Sequence, residues 1–424
     1  MELSRREFIR VLGAAAAGSA LYGCAGVGPR ASGNVIVIGG GYSGATAAKY
    51  IRMWSGGGIN VTLIERNPSF VSCPFSNLVL AGEWTMENIT LRYDGLPKHG
   101  VKVVQDDVAS VDPDKRLIKL ARGGEMSYDR LVVATGIDFM YDKIPGLNNA
   151  AAQEKILHSW KAGPQTVALR KQLEAMKDGG VYALCVPKAP YRCPPGPYER
   201  ACMVAYYFKN AKPKSKVLIL DANEDVVSKK GLFMKAWSES YKGIVEYRPN
   251  SELRDVDVAN MTAILEFDKV KADVLNVVPP QMAGSIAKQA GIITANDRWC
   301  GIDWLTMESV AKKNIHVIGD ATLSAPAMPK SGHMANQHAK LAAAAIVNLM
   351  SGQPPNPDPL VMNTCYSWID AKTVVHVTSV HKYDAAQKTL VTVPGSGGLS
   401  TAPNDIEAKA ALAWAKNTWA DMLG

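Results

Sequence analysis

No apolar run in this 424-residue chain reaches the ~18 residues that a membrane-spanning helix requires. Low-complexity tracts are missing as well. Hydrophobic residues make up 47% and charged residues 20%, so the chain reads as a folded globular protein long enough for two or three domains. The basic excess is thin. The formal charge is +8, and setting aside residues 1–30, with four basic and two acidic side chains, leaves +6. That is too small and too dispersed for a nucleic-acid binder, and it leaves room for an acidic protein partner. Cysteine is scarce: seven in all, six of them after Cys24. Six are too few to scaffold a chain of this size, so some are candidates for chemistry.

The N-terminus reads as an export signal. "SRREFIR" (Ser4 to Arg10) pairs two arginines ahead of Phe8, and "VLGAAAAGSALY" supplies an apolar stretch of signal-peptide length. Residues 1–30 are therefore expected to be a twin-arginine signal and the protein to be periplasmic, an oxidising compartment where disulfides persist. Cys24 in "LYGC" resembles a lipobox, but Tyr22 fits it poorly, and a lipid anchor there is not favoured.

What is present begins with "NVIVIGGGYSGATAAKYIRMW" (Asn34 to Trp54). Four β-prone residues lead into Gly39, Gly41 and Gly44, then an alanine-rich helix. This pattern forms a tight turn that lets a pyrophosphate approach the helix N-terminus. The following strand, "INVTLIER", ends at Glu65, 24 residues after Gly41, where a carboxylate can accept from ribose hydroxyls. Two later strands end in "ATG" (Ala134, Thr135, Gly136) and "GDA" (Gly319, Asp320, Ala321). Together these resemble the signatures of the two-dinucleotide-domain flavoproteins of the glutathione-reductase-like group, in which the late Asp binds the ribityl chain of FAD.

The expected fold is α/β, with two Rossmann-like three-layer domains and a C-terminal α+β interface domain. An FAD-binding domain spans residues 31–145 and 280–355. A second, NAD-like domain is inserted at 146–279, and a C-terminal domain covers 356–424. The insertion has the strand–loop–helix order of a dinucleotide site, but no GxGxxG occurs between Gly179 and Asp221. Its loop reads "CVPKAPYRCPPGPYERAC", and proline has no N–H with which to cradle phosphate. No working NAD(P)H site is expected.

From about residue 34 onward the chain resembles the flavoprotein subunit of flavocytochrome c sulfide dehydrogenase. The resemblance rests on "VIVIGGGYSGATAAKYI", "FVSCPFSNLVLAG", "YRCPPGPYERA", "IGDA" with "MPKSG", and "NTCYSW". It implies FAD bound covalently through an 8α-thioether to Cys73, which on its own would equally read as a small buried hydrophobe. It implies a redox disulfide between Cys193 and Cys365; spacing alone leaves the pairing open. Sulfide as donor and a c-type cytochrome as acceptor follow from the same resemblance. Glu199 matches a residue near the flavin and is a candidate base, though an acid in a first helical turn is favourable anyway. Lys330 precedes a helix whose N-terminus would face the flavin.

Cys185, Cys202 and Cys300 read as structural. His333, Met334 and His338 are donors that copper would accept. Positions i and i+5 lie ~140° apart on a helix, however, so these read as packing residues and no metal site is expected. A stripe of Leu412, Trp414 and Trp419 on the last helix reads as a domain contact rather than a membrane surface. Two other classes stay open at this stage: a sulfide:quinone oxidoreductase on a membrane, and a non-catalytic flavin-binding partner of a sulfur-oxidising complex.

Overall fold

The computed structural model describes residues 31–424; the export signal read in residues 1–30, with Cys24, lies outside the described residues. Strand β1 (Gly33–Ile38) leads into helix α1 (Tyr42–Trp54) and then strand β2 (Ile59–Glu65). β1 pairs in parallel with β2 on one side and with Arg130–Val133 on the other. Ile315–Val317 and Lys102–Gln105 extend the sheet to five parallel strands. The apolar run Val35–Ile38 is buried on both faces, as a strand covered by helices requires.

The chain leaves this sheet along Ile137–Phe139 and returns along Gln281–Ala283, and the two segments pair antiparallel. Between these crossings lies a second parallel sheet of four strands. Its centre is β3 (Val181–Val186) and β4 (Lys216–Asp221), joined by helix α2 (Gly196–Ala211), with Val245–Arg248 and Val274–Val277 at the edges.

Helix α3 (Gly332–Met350) packs against α1, and Asn336 Nδ2 donates to Thr46 Oγ1 between them at 3.0 Å. The chain then forms an antiparallel sheet from β5 (Leu360–Trp368), β6 (Val374–Asp384) and shorter strands, and ends in helix α4 (Asp405–Leu423). The fold class is as read from the sequence: two parallel sheets with their helices, plus a C-terminal antiparallel sheet and helix.

The last helix is tied to the first. Lys49 Nζ donates to the carbonyls of Ala420 and Asp421, and the Asp421 carboxylate accepts from Tyr50, Asn336 and Lys340. Trp419 is buried and its Nε1 donates to the Tyr42 hydroxyl at 3.1 Å. The apolar stripe of this helix is therefore turned inward, and among the described residues no helix is long and apolar enough to cross a membrane.

Candidate functional site

A cavity of about 640 Å³ runs from the carboxyl end of β1 to the C-terminal sheet. One end is a nucleotide cradle. Gly39 takes φ +97°, and a Cβ on Gly44 would stand 1.7 Å from the Gly39 carbonyl oxygen. Only glycine allows α1 to start so close to β1. A Cβ on Gly41 would meet nothing within 4 Å, because that position opens into the cavity. No side chain caps α1, so its first N–H groups are left for a ligand.

Glu65 lines the cavity at the end of β2, its carboxylate already accepting from Gly40 N at 2.6 Å and from Asn67. A carboxylate has about four acceptor sites, so room remains for a hydroxyl. The Thr135 hydroxyl lies buried on the wall with no partner. The Asp320 carboxylate also lines the cavity and makes no hydrogen bond to any described residue. Burial raises Asp320, opposed by Arg192 and Lys330. Open glycine backbone, an uncapped helix start and unpartnered polar groups fit a dinucleotide such as FAD.

The other end holds sulfur. The six cysteines of the described residues divide evenly. Cys185, Cys202 and Cys300 are buried at 2% exposure or less, and burial pushes their thiols up. Cys73, Cys193 and Cys365 are half-buried, and all three line the one cavity. Cys73 Sγ accepts from Ala162 N at 3.3 Å and from Arg192 Nη2 at 3.5 Å. Cys193 sits at φ +60° just before α2, its N–H donating to the Lys330 carbonyl at 2.8 Å. Cys365 lies on β5, where Asn363 Nδ2 reaches its sulfur at 3.3 Å. Both are free thiols here. Burial is the main cause raising both; Glu199 and then Cys365 add to it at Cys193, whereas at Cys365 Lys229, Asn363 and Ser331 oppose it. Glu199, 6% exposed in the first turn of α2, accepts from Asn77 Nδ2 at 3.2 Å. Burial is the main cause holding its carboxyl above the usual range.

The start of α2 differs from that of α1. A Cβ on Gly196 would strike the Trp160 indole at 2.8 Å and Cys193 Sγ at 2.9 Å. Asp221, the acid closing β4, is fully buried and accepts from the hydroxyls of Tyr198 and Tyr247 and from Asn223. At the start of α2 the glycine is thus crowded by Trp160 and Cys193, and the acid that closes β4 is already engaged by the protein's own hydroxyls and amide.

Two residues read from the sequence do not line the cavity. Gly44 supports the cradle from behind. Lys330 is turned away: its ammonium donates to the carbonyls of Asp320 and Thr322 and lies 3.8 Å over the Trp299 ring. It fixes the "GDA" loop from outside: the two carbonyls and the Trp299 ring meet its charge there, and Arg192 is the cation on the cavity wall. The start of α3 does line the cavity, through Ser331, Gly332 and His333. His338 instead packs Nε2 against Met328 Sδ at 3.3 Å.

The sequence does not single out Trp160, Arg192 or Lys229 as site residues, and it reads Trp414 as a domain contact only. Arg192 stood inside the quoted "YRCPPGPYERA", and its adjacency to Cys193 was the available signal. Trp414 also lines the cavity, stacked on Tyr42 at 6.3 Å. For Trp160 and Lys229 the sequence held no signal.

Comparison with known proteins gives this geometry a context. Residues 166–279 match the family described as the sulfide dehydrogenase [flavocytochrome c] flavoprotein chain, central, and residues 357–423 match flavocytochrome c sulphide dehydrogenase, flavin-binding. Residues 33–173 match pyridine nucleotide-disulphide oxidoreductase. The mitochondrial sulfide:quinone oxidoreductase of Mus musculus is 26% identical over 305 residues, covering 68% of this chain and 65% of the mouse protein, just under two thirds of its length. A sulfide dehydrogenase [flavocytochrome c] flavoprotein chain of Chlorobaculum thiosulfatiphilum is 53% identical over 45 residues, 11% of this chain and 92% of that sequence. The solved structure of the Aquifex aeolicus sulfide:quinone oxidoreductase shares the fold, with a TM-score of 0.74 at 20% identity over 92% of this chain and 91% of that one. The chain is a flavin-binding member of the disulfide-reductase superfamily, built with the central and flavin-binding domains of the flavocytochrome c sulfide dehydrogenase flavoprotein chain.

Proposed function

We propose that the protein is a periplasmic sulfide dehydrogenase flavoprotein that oxidises sulfide to elemental sulfur or polysulfide and passes the electrons to a c-type cytochrome. One observation carries this reading: Cys193 and Glu199 at the start of α2, and Cys365 from the distant C-terminal sheet, open onto the same cavity as the nucleotide cradle. In this reading Gly39, Gly41, Glu65, Thr135, Gly136 and Asp320 hold FAD, and Cys73 retains it through a thioether. Bound FAD supplies a two-electron acceptor that releases electrons singly, which suits a haem partner.

The protein's own groups do the sulfur chemistry. In the oxidised state Cys193 and Cys365 form a disulfide. Hydrosulfide attacks one sulfur, a new S–S bond forms to it, and the electron pair of the Cys193–Cys365 bond leaves on the other sulfur as thiolate. Glu199, raised by burial, takes up the proton when the donor arrives as neutral hydrogen sulfide. The thin positive charge of the chain leaves the cytochrome free to be acidic.

Purified holoprotein mixed with sulfide should reduce a c-type cytochrome much faster than a short-chain quinone. A preference for quinone would turn the reading toward a sulfide:quinone oxidoreductase, and reduction of neither would leave a non-catalytic flavin carrier. NADH is expected to bleach the flavin far more slowly than sulfide does, because the start of α2 is filled by Trp160 and Cys193. Comparable bleaching rates in stopped-flow would show that the second domain binds nicotinamide after all.

A further inference from the structure

Lys229 has no place in the chemistry above, yet it is one of the most constrained cations in the molecule. It is 5% exposed and holds a left-handed φ of 55° immediately before the helix Lys230–Glu239. Its ammonium crosses from the second domain to the C-terminal sheet. There it donates to the Cys365 carbonyl at 2.6 Å, to Ser367 Oγ at 2.7 Å and to the Val375 carbonyl at 3.4 Å. No carboxylate of the described residues forms an ion pair with it. An ammonium so deeply placed is costly without a counter-charge. The groups whose charges face it are Cys365 and Ser367's neighbour Glu199, then Cys193, with Glu407 further off.

The surroundings of the two thiols differ in the same sense. Cys365 has the Lys229 ammonium on its own carbonyl and on Ser367, two residues on along the same face of the strand, with a hydrogen bond from Asn363 and the Ser331 hydroxyl in reach of its sulfur. Cys193 has Glu199 as its strongest charged neighbour, with Arg192 and Lys229 opposing. We propose that Lys229 is a positioning residue whose ammonium takes the Cys365 thiolate as its missing counter-charge, so that the disulfide opens with the electron pair on Cys365 and the incoming sulfur on Cys193. The step balances within the chain. The S–S bond from sulfide to Cys193 replaces the Cys193–Cys365 bond, Cys365 departs as thiolate, and no further oxidant is drawn on. This rests on the disulfide reading above. Ser367, which accepts from Lys229 and lies in hydrogen-bond reach of Glu199, links the ammonium to the candidate base.

The alternative is a tether that only pins the C-terminal sheet to the second domain. A tether would not move a cysteine titration. The test uses holoprotein treated with a phosphine reductant, pulsed with iodoacetamide across a pH series and read by peptide mass spectrometry. In wild-type protein Cys365 should alkylate at lower pH than Cys193. In Lys229→Met the Cys365 midpoint should rise by about 1–2 pH units, the shift produced by losing an adjacent opposite charge, and Lys229→Arg should restore most of it. Equal midpoints in the wild type, a lower midpoint for Cys193, or an unmoved Cys365 midpoint in Lys229→Met would each overturn the proposal. The wild-type comparison decides even where the variants fail to fold. Retained sulfide oxidation in cysteine variants would instead sink the disulfide reading, and the two failures are separate.

Discussion

Serine at position 193 or at position 365 should leave the protein folded and yellow while sulfide-driven flavin reduction falls by on the order of 10³-fold or more, the scale on which a covalent nucleophile is missed. Both side chains sit on the cavity wall rather than in a core cluster's centre, and serine is nearly isosteric, so packing should survive. The hydroxyl cannot form a disulfide, and it is a far poorer leaving group and acceptor of sulfur than a thiol. The competing explanation is a static bridge that pins the C-terminal sheet against the second domain. Losing such a bridge costs about 2–4 kcal/mol of stability and leaves the reaction alone. Stopped-flow reduction by sulfide, alongside thermal unfolding of each variant, separates the two. A normal rate, whatever the midpoint does, would mean a staple. A lost rate is the expected result, and a lowered midpoint beside it is expected in either case because the bridge itself is gone. Glu199→Gln should be milder than either, since it removes a proton acceptor but no bond that must break.

The parts of this site that could be read in the sequence are those in which backbone demand dictates residue type. Gly44 is legible because any Cβ there would enter the Gly39 carbonyl, and strand, glycine turn, helix, strand and Glu65 then follow in fixed order. The missing glycine turn of the second domain is legible for the complementary reason: prolines stand where N–H groups would be needed. Side-chain meetings across domains were not legible. Cys193 and Cys365 reach one cavity only because β5 passes over the start of α2, and no local pattern encodes that. Lys330 shows a subtler limit. The helix following it does begin at the cavity, but the direction of the lysine depends on two carbonyls and the Trp299 ring, which the sequence does not bring together. Lys229 sits in "SKKGLF", which reads as an ordinary exposed helix start; only the docking of the C-terminal sheet buries it.

Cys73 carries the remaining prediction, and its effect is all or none. Unlike the three core cysteines, its sulfur faces the cavity, four residues past the short strand start at Ser69 and across from the loop at Ala162. A cysteine kept there for packing would be closed over by apolar neighbours; this one is met in the cavity by the Ala162 N–H and the Arg192 guanidinium. Acid precipitation of the wild-type protein should therefore carry the yellow colour into the pellet, and the Cys73 peptide should bear the mass of the flavin. Cys73→Ala should still bind flavin through the cradle, because Gly41, Glu65 and Asp320 are untouched, but should release all of it into the acid supernatant. Arg192→Lys, which keeps the charge but loses the planar fork, should slow attachment without abolishing it. Free flavin above the wild-type pellet would show that the cofactor is held by the cradle alone, and that Cys73 only lines it.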